Sequence, residues 1–265
     1  MKSRLLVSAL GVPLLLYVVL VAPAVWMAVA LCILAGIGAY ELMKCVGVTS
    51  GCLQWLTILM AALYVGCYTT YVSAAVSILP ILYVVMAFLY AILRAGEVKF
   101  HQIAAGICAA IVIPYAFSSF LRLETAGFHR GYLLLPFLLS FACDTFAYFV
   151  GCSIGKHRLA PKVSPKKSIE GSVGGLLGNV VCGILFVFVM DTWFGGSISY
   201  GSMTLLALLC GAVAQIGDLS FSLVKREFGV KDYGKLFLEH GGVLDRFDSV
   251  LFVAPVLEIV LNLVK

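Results

Sequence analysis

The chain carries one apolar run after another, each long enough to cross a bilayer, and this constrains its fold more than any other feature. A spanning helix needs about 20 predominantly apolar residues. Such runs occur at 4–22, 24–46, 53–71, 73–94, 101–122, 131–154, 171–190, 203–225 and 246–264. The third and fourth nearly touch, and the ninth opens on charged residues. The pattern predicts an all-α, polytopic membrane bundle of about nine helices. A β-barrel is excluded, because barrel strands alternate apolar and polar residues and these runs are continuous. Composition agrees: 62% of the 265 residues are hydrophobic and 12% are charged, with a mean hydropathy of +1.08. A soluble domain is about 45–50% apolar and about 25% charged, so a soluble enzyme is excluded, and so is a disordered chain. Met1–Pro23 has the Lys2, Arg4 and Ala22-Pro23-Ala24 of a signal peptide. Its apolar run is too long for one and eight more follow, so it reads as an uncleaved first span.

Lys and Arg set the orientation. With the N-terminus in the cytoplasm, every Lys and Arg falls inside except Arg122, Arg130 and Lys265. An odd number of spans then puts the C-terminus outside. The net charge of +5 would suggest nucleic acid in a soluble protein; here the cations flank spans, and no nucleic-acid partner is expected. The chain divides into 1–130, plain hydrophobic helices on short connections, and 131–265, which holds both long polar loops, about 155–170 and 226–245. No internal repeat of the transporter kind is visible. The nine cysteines are scattered singly, without metal-ligand spacing, and are expected to be small buried residues.

Acidic side chains inside spans are expensive, so each is a candidate functional group. Glu41 and Glu258 lie near helix ends, where the interface is in reach. Asp144 sits well inside the sixth run. Asp218 precedes Lys225 by seven residues, which places it roughly 10 Å below the cytoplasmic end of its helix. Asp245 and Asp248 open the ninth run and share a helical face. Converging in the cytoplasmic third of the bundle, four carboxylates would repel one another unless something positive were present. A hard divalent cation, Mg²⁺ above all, suits oxygen ligands. The basic loops, or pairing with Lys225, Arg226 and Arg246, are the alternatives.

The loop 155–170 is basic, stiffened by two prolines, and places Ser164 and Ser168 beside Lys166 and Lys167. It reads either as an anchor for anionic headgroups or as a phosphate site. Gly171, Gly174, Gly175 and Gly178 follow at a helix start, where backbone N–H groups can approach an anion. His240, before Gly241-Gly242, could donate to a phosphate or carry a proton.

These residues form a longer pattern. Ser222-Leu-Val-Lys225-Arg226 is followed by Lys231-Asp232, then by His240-Gly241-Gly242-Val-Leu-Asp245-Arg246-Phe247-Asp248. Upstream stand Cys143-Asp144-Thr145, Ala147-Tyr148, Ser164-Pro165-Lys166-Lys167 and Glu170-Gly171. The pattern resembles that of the phosphatidate cytidylyltransferases, or CDP-diacylglycerol synthases, over about 140–250. Leu238, and Ser168-Ile169, depart from what that family usually carries, and neither change touches an acid or a cation of the motif. The resemblance implies that CTP and phosphatidate give CDP-diacylglycerol and pyrophosphate, at a bacterial inner (cytoplasmic) membrane among membrane lipid. It implies Asp218 and Asp245 as Mg²⁺ ligands, with Asp144 and Asp248 as further ligands or as groups that orient them. Lys166, Lys167, Lys225, Arg226, Lys231 and Arg246 would bind phosphates, with Ser164 and Ser168 adding hydroxyls and His240 orienting or protonating a phosphate oxygen. It leaves a second cation and a homodimer open. Two rivals are a CTP-dependent polyprenol kinase, against which the full signature argues, and an ion or phosphate transporter, which would place its site nearer the midplane.

Overall fold

The computed structural model describes residues 2–49, 51–68, 73–196, 198–236 and 241–264. Helices dominate: α1 (Lys2–Leu20), α2 (Ala24–Cys45), α3 (Cys52–Cys67), α4 (Ser73–Leu93), α5 (Phe100–Ile107), α6 (Ile113–Thr125), α7 (Leu135–Ile154), α8 (Ile169–Phe194), α9 (Tyr200–Glu227) and α10 (Leu244–Val264). A single π-turn, Cys108–Val112, joins α5 to α6, and a 3₁₀ turn, Arg130–Leu134, leads into α7. Among the described residues six helical segments are long and apolar enough to cross a membrane: Ala24–Cys45, Ala75–Leu93, Phe100–Thr125, Arg130–Ile154, Ile169–Phe194 and Tyr200–Glu227. Side chains such as Trp55, Leu93, Trp193 and Leu205 stand exposed on these helices and on α3, as lipid-facing positions must. The chain is an all-α, multi-pass membrane protein. The first predicted run forms α1, and the third forms the shorter apolar helix Cys52–Cys67. The ninth forms α10, which carries Asp245, Arg246, Asp248 and Glu258.

The basic segment predicted as an open loop is a β-hairpin. Strand β1 (Arg158–Ala160) pairs antiparallel with β2 (Ser164–Ser168), Arg158 opposite Ser168 and Ala160 opposite Ser164. Pro161 and Pro165 keep the segment out of helix. Glu170 ties it down by accepting the backbone N–H groups of Lys156 at 3.1 Å and His157 at 3.2 Å.

The chain forms two compact units, Met1–Arg122 with Glu227–Arg246, and Leu123–Arg226 with Phe247–Lys265. In the first, α2 and α3 meet along small side chains, Ala35, Ala39 and Ala61, all fully buried. Thr57 on α3 hydrogen-bonds the buried Tyr83 hydroxyl of α4 at 2.8 Å. Gly38 lies against Leu244 and Ile113: a Cβ there would stand 3.2 Å and 3.5 Å from them.

In the second unit α7 and α8 pack backbone to backbone. The four glycines after Ser168 let α7 approach closely, and Gly171 also lines the cavity described below. A Cβ on Gly171 would stand 2.6 Å from the Ala147 carbonyl, one on Gly174 2.6 Å from the Val150 Cβ, and one on Gly175 2.8 Å from the Cys143 carbonyl. Gly178 makes room for the Phe146 ring in the same way. Asn179 donates to the Ala207 carbonyl at 2.9 Å and ties α8 to α9. The Phe221 and Phe252 rings meet edge to face between α9 and α10. Among the described residues no cysteine forms a disulfide; Cys143 and Cys210 are buried as expected, whereas Cys52, Cys108 and Cys152 are exposed.

Candidate active site

A cavity of about 460 Å³ opens in the second unit where α7, the hairpin, α8 and α9 come together. The sequence places its groups by simple means. Gly155 ends α7 with an extended backbone, and the hairpin then returns Lys166 and Lys167 along that end. Ser168 closes the strand and caps α8, its hydroxyl accepting the Gly171 N–H at 3.1 Å. A serine at this position satisfies one of the free N–H groups of a helix start. Asp144 on α7 and Asp218 on α9 line the cavity as well, with Gln215. Tyr148, 67% exposed on α7, lines the same cavity.

The charges are arranged in pairs and near-pairs. The Lys167 ammonium forms an ion pair with the Asp218 carboxylate, each side chain 24% exposed. The other Asp218 oxygen accepts the Ser222 hydroxyl at 3.2 Å, one turn along α9. Asp248 shares this neighbourhood: Asp144, Asp218 and Asp248 repel one another, while Lys167 attracts Asp144 and Lys225 attracts Asp248. Ser249 links α10 to α7 through a long contact, 3.5 Å, from its hydroxyl to Asp144. Gln215 is fixed from three sides: it donates to the Ser172 carbonyl at 3.0 Å and to the Cys143 sulfur at 3.5 Å, and the Ser172 hydroxyl donates to it.

Of the residues singled out from sequence, the cavity brings together Asp144, Asp218, Lys166, Lys167 and Ser168. Ser164 begins β2 away from its lining, and Arg226 binds the hairpin turn, its Nε donating to the Val163 carbonyl at 3.3 Å. Lys231, Asp245 and Arg246 belong to the first unit. There Asp245 accepts the N–H groups of Tyr233 at 2.8 Å and Gly242 at 2.9 Å on one oxygen. Gly241 takes φ +85°, a conformation that favours glycine. Lys231 and Arg246 are exposed. His240 lies outside the described residues.

Arg158 and Gln215 were not singled out from sequence, yet both line the cavity. Arg158 arrives through the register that sets it opposite Ser168, which a loop reading cannot supply. Glu41 and Glu258 do not reach an interface. They are 3% and 8% exposed; Glu41 binds backbone N–H groups and Glu258 accepts from Asn262 at 3.0 Å.

As donors Asp144, Asp218 and Asp248 suit a hard cation: oxygen ligands that bring more negative charge than Lys167 offsets. Among the described residues no three His, Cys, Asp or Glu side chains are gathered as a metal-ligand cluster.

Fold and cavity define a polytopic helical membrane protein with a mixed-charge chamber in the size range of small-molecule sites. The chain belongs to the cytidylyltransferase family, whose profile matches residues 2–264. It is 37% identical over 172 residues to a protein of Staphylococcus haemolyticus named phosphatidate cytidylyltransferase, covering 65% of this chain and 64% of that one. Proteins of the same name from Staphylococcus aureus strain COL and Staphylococcus saprophyticus match over the same shares at 37% and 36% identity. The chain thus spans a little under two thirds of the length of these relatives.

Proposed function

We propose that the protein transfers the cytidylyl group of CTP to phosphatidate, giving CDP-diacylglycerol and pyrophosphate at a bacterial cytoplasmic membrane, with its N-terminus and its site on the cytoplasmic side. The observation that carries this reading is the cavity itself. In a member of this family, Lys167 and Asp218 are paired beside a capped helix start, with Arg158 and Lys166 on the same lining.

The phosphate of phosphatidate is already an anionic nucleophile, so the reaction needs no serine, cysteine or histidine nucleophile. One of its oxygens attacks the α-phosphorus of CTP; the new P–O bond forms as the bond to the β-phosphate oxygen breaks and pyrophosphate leaves. Two polyanions must meet in line, so charge neutralisation and positioning dominate. Lys166, Lys167 and Arg158 supply positive charge toward the phosphates. Asp218, with Asp144 and Asp248 of the same unit, would hold Mg²⁺; Asp245, the second ligand implied by the resemblance, belongs to the first unit. Mg²⁺ bound there would neutralise the attacking and leaving oxygens. Gln215 holds α8 and α9 together at the cavity. Tyr148 faces both the cavity and the apolar surroundings of α7, which suits a lipid whose headgroup enters sideways while its acyl chains stay in the bilayer.

The test is direct. Purified protein is incubated with phosphatidate, labelled CTP and Mg²⁺, with a chelator control. Cytidine label in the lipid phase and an equal amount of pyrophosphate in water are expected. Transfer of the γ-phosphate alone, with release of CDP, would replace this reading with a lipid kinase. In the same assay Lys167→Ala is expected to lower kcat/KM about tenfold to a hundredfold, the loss of a charge-assisted phosphate contact. Unchanged kinetics would return the hairpin to a headgroup anchor.

A further inference from the structure

We propose that Glu41, on α2, is a positioning residue for this reaction: its carboxylate caps the N-terminus of α10 and so fixes the glycine loop and the helical turn that carry Asp245 and Arg246. The proposal rests on the reading above for the reaction, and on the first unit alone for the geometry.

A helix start leaves backbone N–H groups without helical partners, and they need acceptors when buried. The residue before α10 is Val243, whose side chain has no oxygen to offer. Glu41 supplies both of its own across 202 residues of sequence: Oε1 accepts the Val243 N–H at 3.0 Å and Oε2 the Leu244 N–H at 2.9 Å. Asp245 takes the N–H of Gly242 just before them. Three consecutive amides at the end of the signature loop are therefore held by two carboxylates, one local and one from a distant helix. Such a carboxylate also lies favourably at the positive end of a helix.

The glycines around it fit this role. A Cβ at Gly242 would stand 2.5 Å from the Glu41 carboxyl carbon, and one at Gly234 would stand 2.8 Å from the same atom. Both ends of the loop are bare where the carboxylate enters. Glu41 itself is buried at 3% exposure, too enclosed to touch a substrate. Its effect on the reaction passes through the loop it holds.

Glu41→Gln keeps the shape, but the amide can accept through one end only. We expect kcat to fall about tenfold or more, the equivalent of one lost hydrogen bond to a charged group, with KM for CTP changing less. Hydrogen exchange at Val243 and Leu244 should quicken by a similar factor while the thermal midpoint stays within a few degrees. Gly234→Ala pushes on the same carboxyl from the other side and should reproduce both effects. The double variant should be no worse than the more severe single one, because the two act on one contact. Unchanged exchange in Glu41→Gln, or additive losses in the double variant, would overturn the proposal. So would a loss of activity that simply follows a loss of folded protein across both single variants, which would mark a structural carboxylate. The two readings fail separately. Quickened exchange in Glu41→Gln, where the wild-type protein itself makes no CDP-diacylglycerol, removes the reaction but leaves the cap. Quickened exchange with wild-type turnover removes the positioning role but leaves the reaction.

Discussion

With Asp218 replaced by asparagine, cytidylyl transfer is expected to fall by about a thousandfold, the scale of removing one preorganised charge-stabilising group from an active site, while the protein still folds. The two halves of that expectation have separate causes. Asparagine fills the same volume and can still accept the Ser222 hydroxyl that Asp218 accepts now. The Lys167 pair is lost, but both partners are about a quarter exposed, so water replaces much of what it contributed. Removing one of three mutually repelling carboxylates, with Asp144 and Asp248 remaining, offsets part of the rest. Turnover and thermal midpoint should therefore separate: the first collapses and the second barely moves. Asp245→Asn keeps an amide oxygen that can accept the same two backbone N–H groups, so the loss of turnover expected there reports the missing charge. Near-normal rates for Asp218→Asn at saturating Mg²⁺ would remove its assignment as a metal ligand.

The second large effect is on folding. Gly175→Leu should destabilise the protein by about 3 kcal/mol or more, the upper range for overpacking a close contact. Its Cβ would stand 2.8 Å from the Cys143 carbonyl and 3.1 Å from the Ala147 side chain. The first of these is backbone and cannot rotate away, so α7 and α8 must separate. Asp144 follows Cys143 directly, so whatever folded protein remains should also lose activity. Gly11→Ala is the control, because a Cβ there meets nothing within 4 Å. The measurement is thermal unfolding in detergent with monodispersity as a second readout; a wild-type midpoint for Gly175→Leu would show that the two helices have more freedom than their packing implies.

The membrane character of the chain was legible because hydrophobic run length is a local property, and bilayer thickness gives it a fixed scale. The acid–base character of the site was legible for a related reason: Asp144 and Asp218 stand out against apolar neighbours. The hairpin was not. Its strands have three and five residues, too short to show an alternation, and two prolines suggested an open loop. The packing of α7 on the glycines after Ser168 was not legible, because closeness to a ligand and closeness to another helix leave the same mark in a sequence. Glu41 was hidden for a deeper reason. Near the end of an apolar helix it looks like a residue reaching for the interface, and only the tertiary fold shows which distant amides it meets.

The π-turn at Cys108–Val112 has a consequence for how this span can vary. Such a turn fits one residue more than an α-turn between the same flanks. Gly106 on one side, where the Tyr83 ring and hydroxyl approach, and Ile113 on the other, against Gly38, keep their partners despite the surplus. Deleting one residue inside the turn would let the segment close as ordinary α-helix, leaving both flanks in place. Deleting one elsewhere in the span would swing everything beyond it by about 100° and turn Ile113 away from Gly38. The segment therefore has one point at which its length is elastic: a single-residue deletion is tolerable within the turn and not between it and the contacts that flank it.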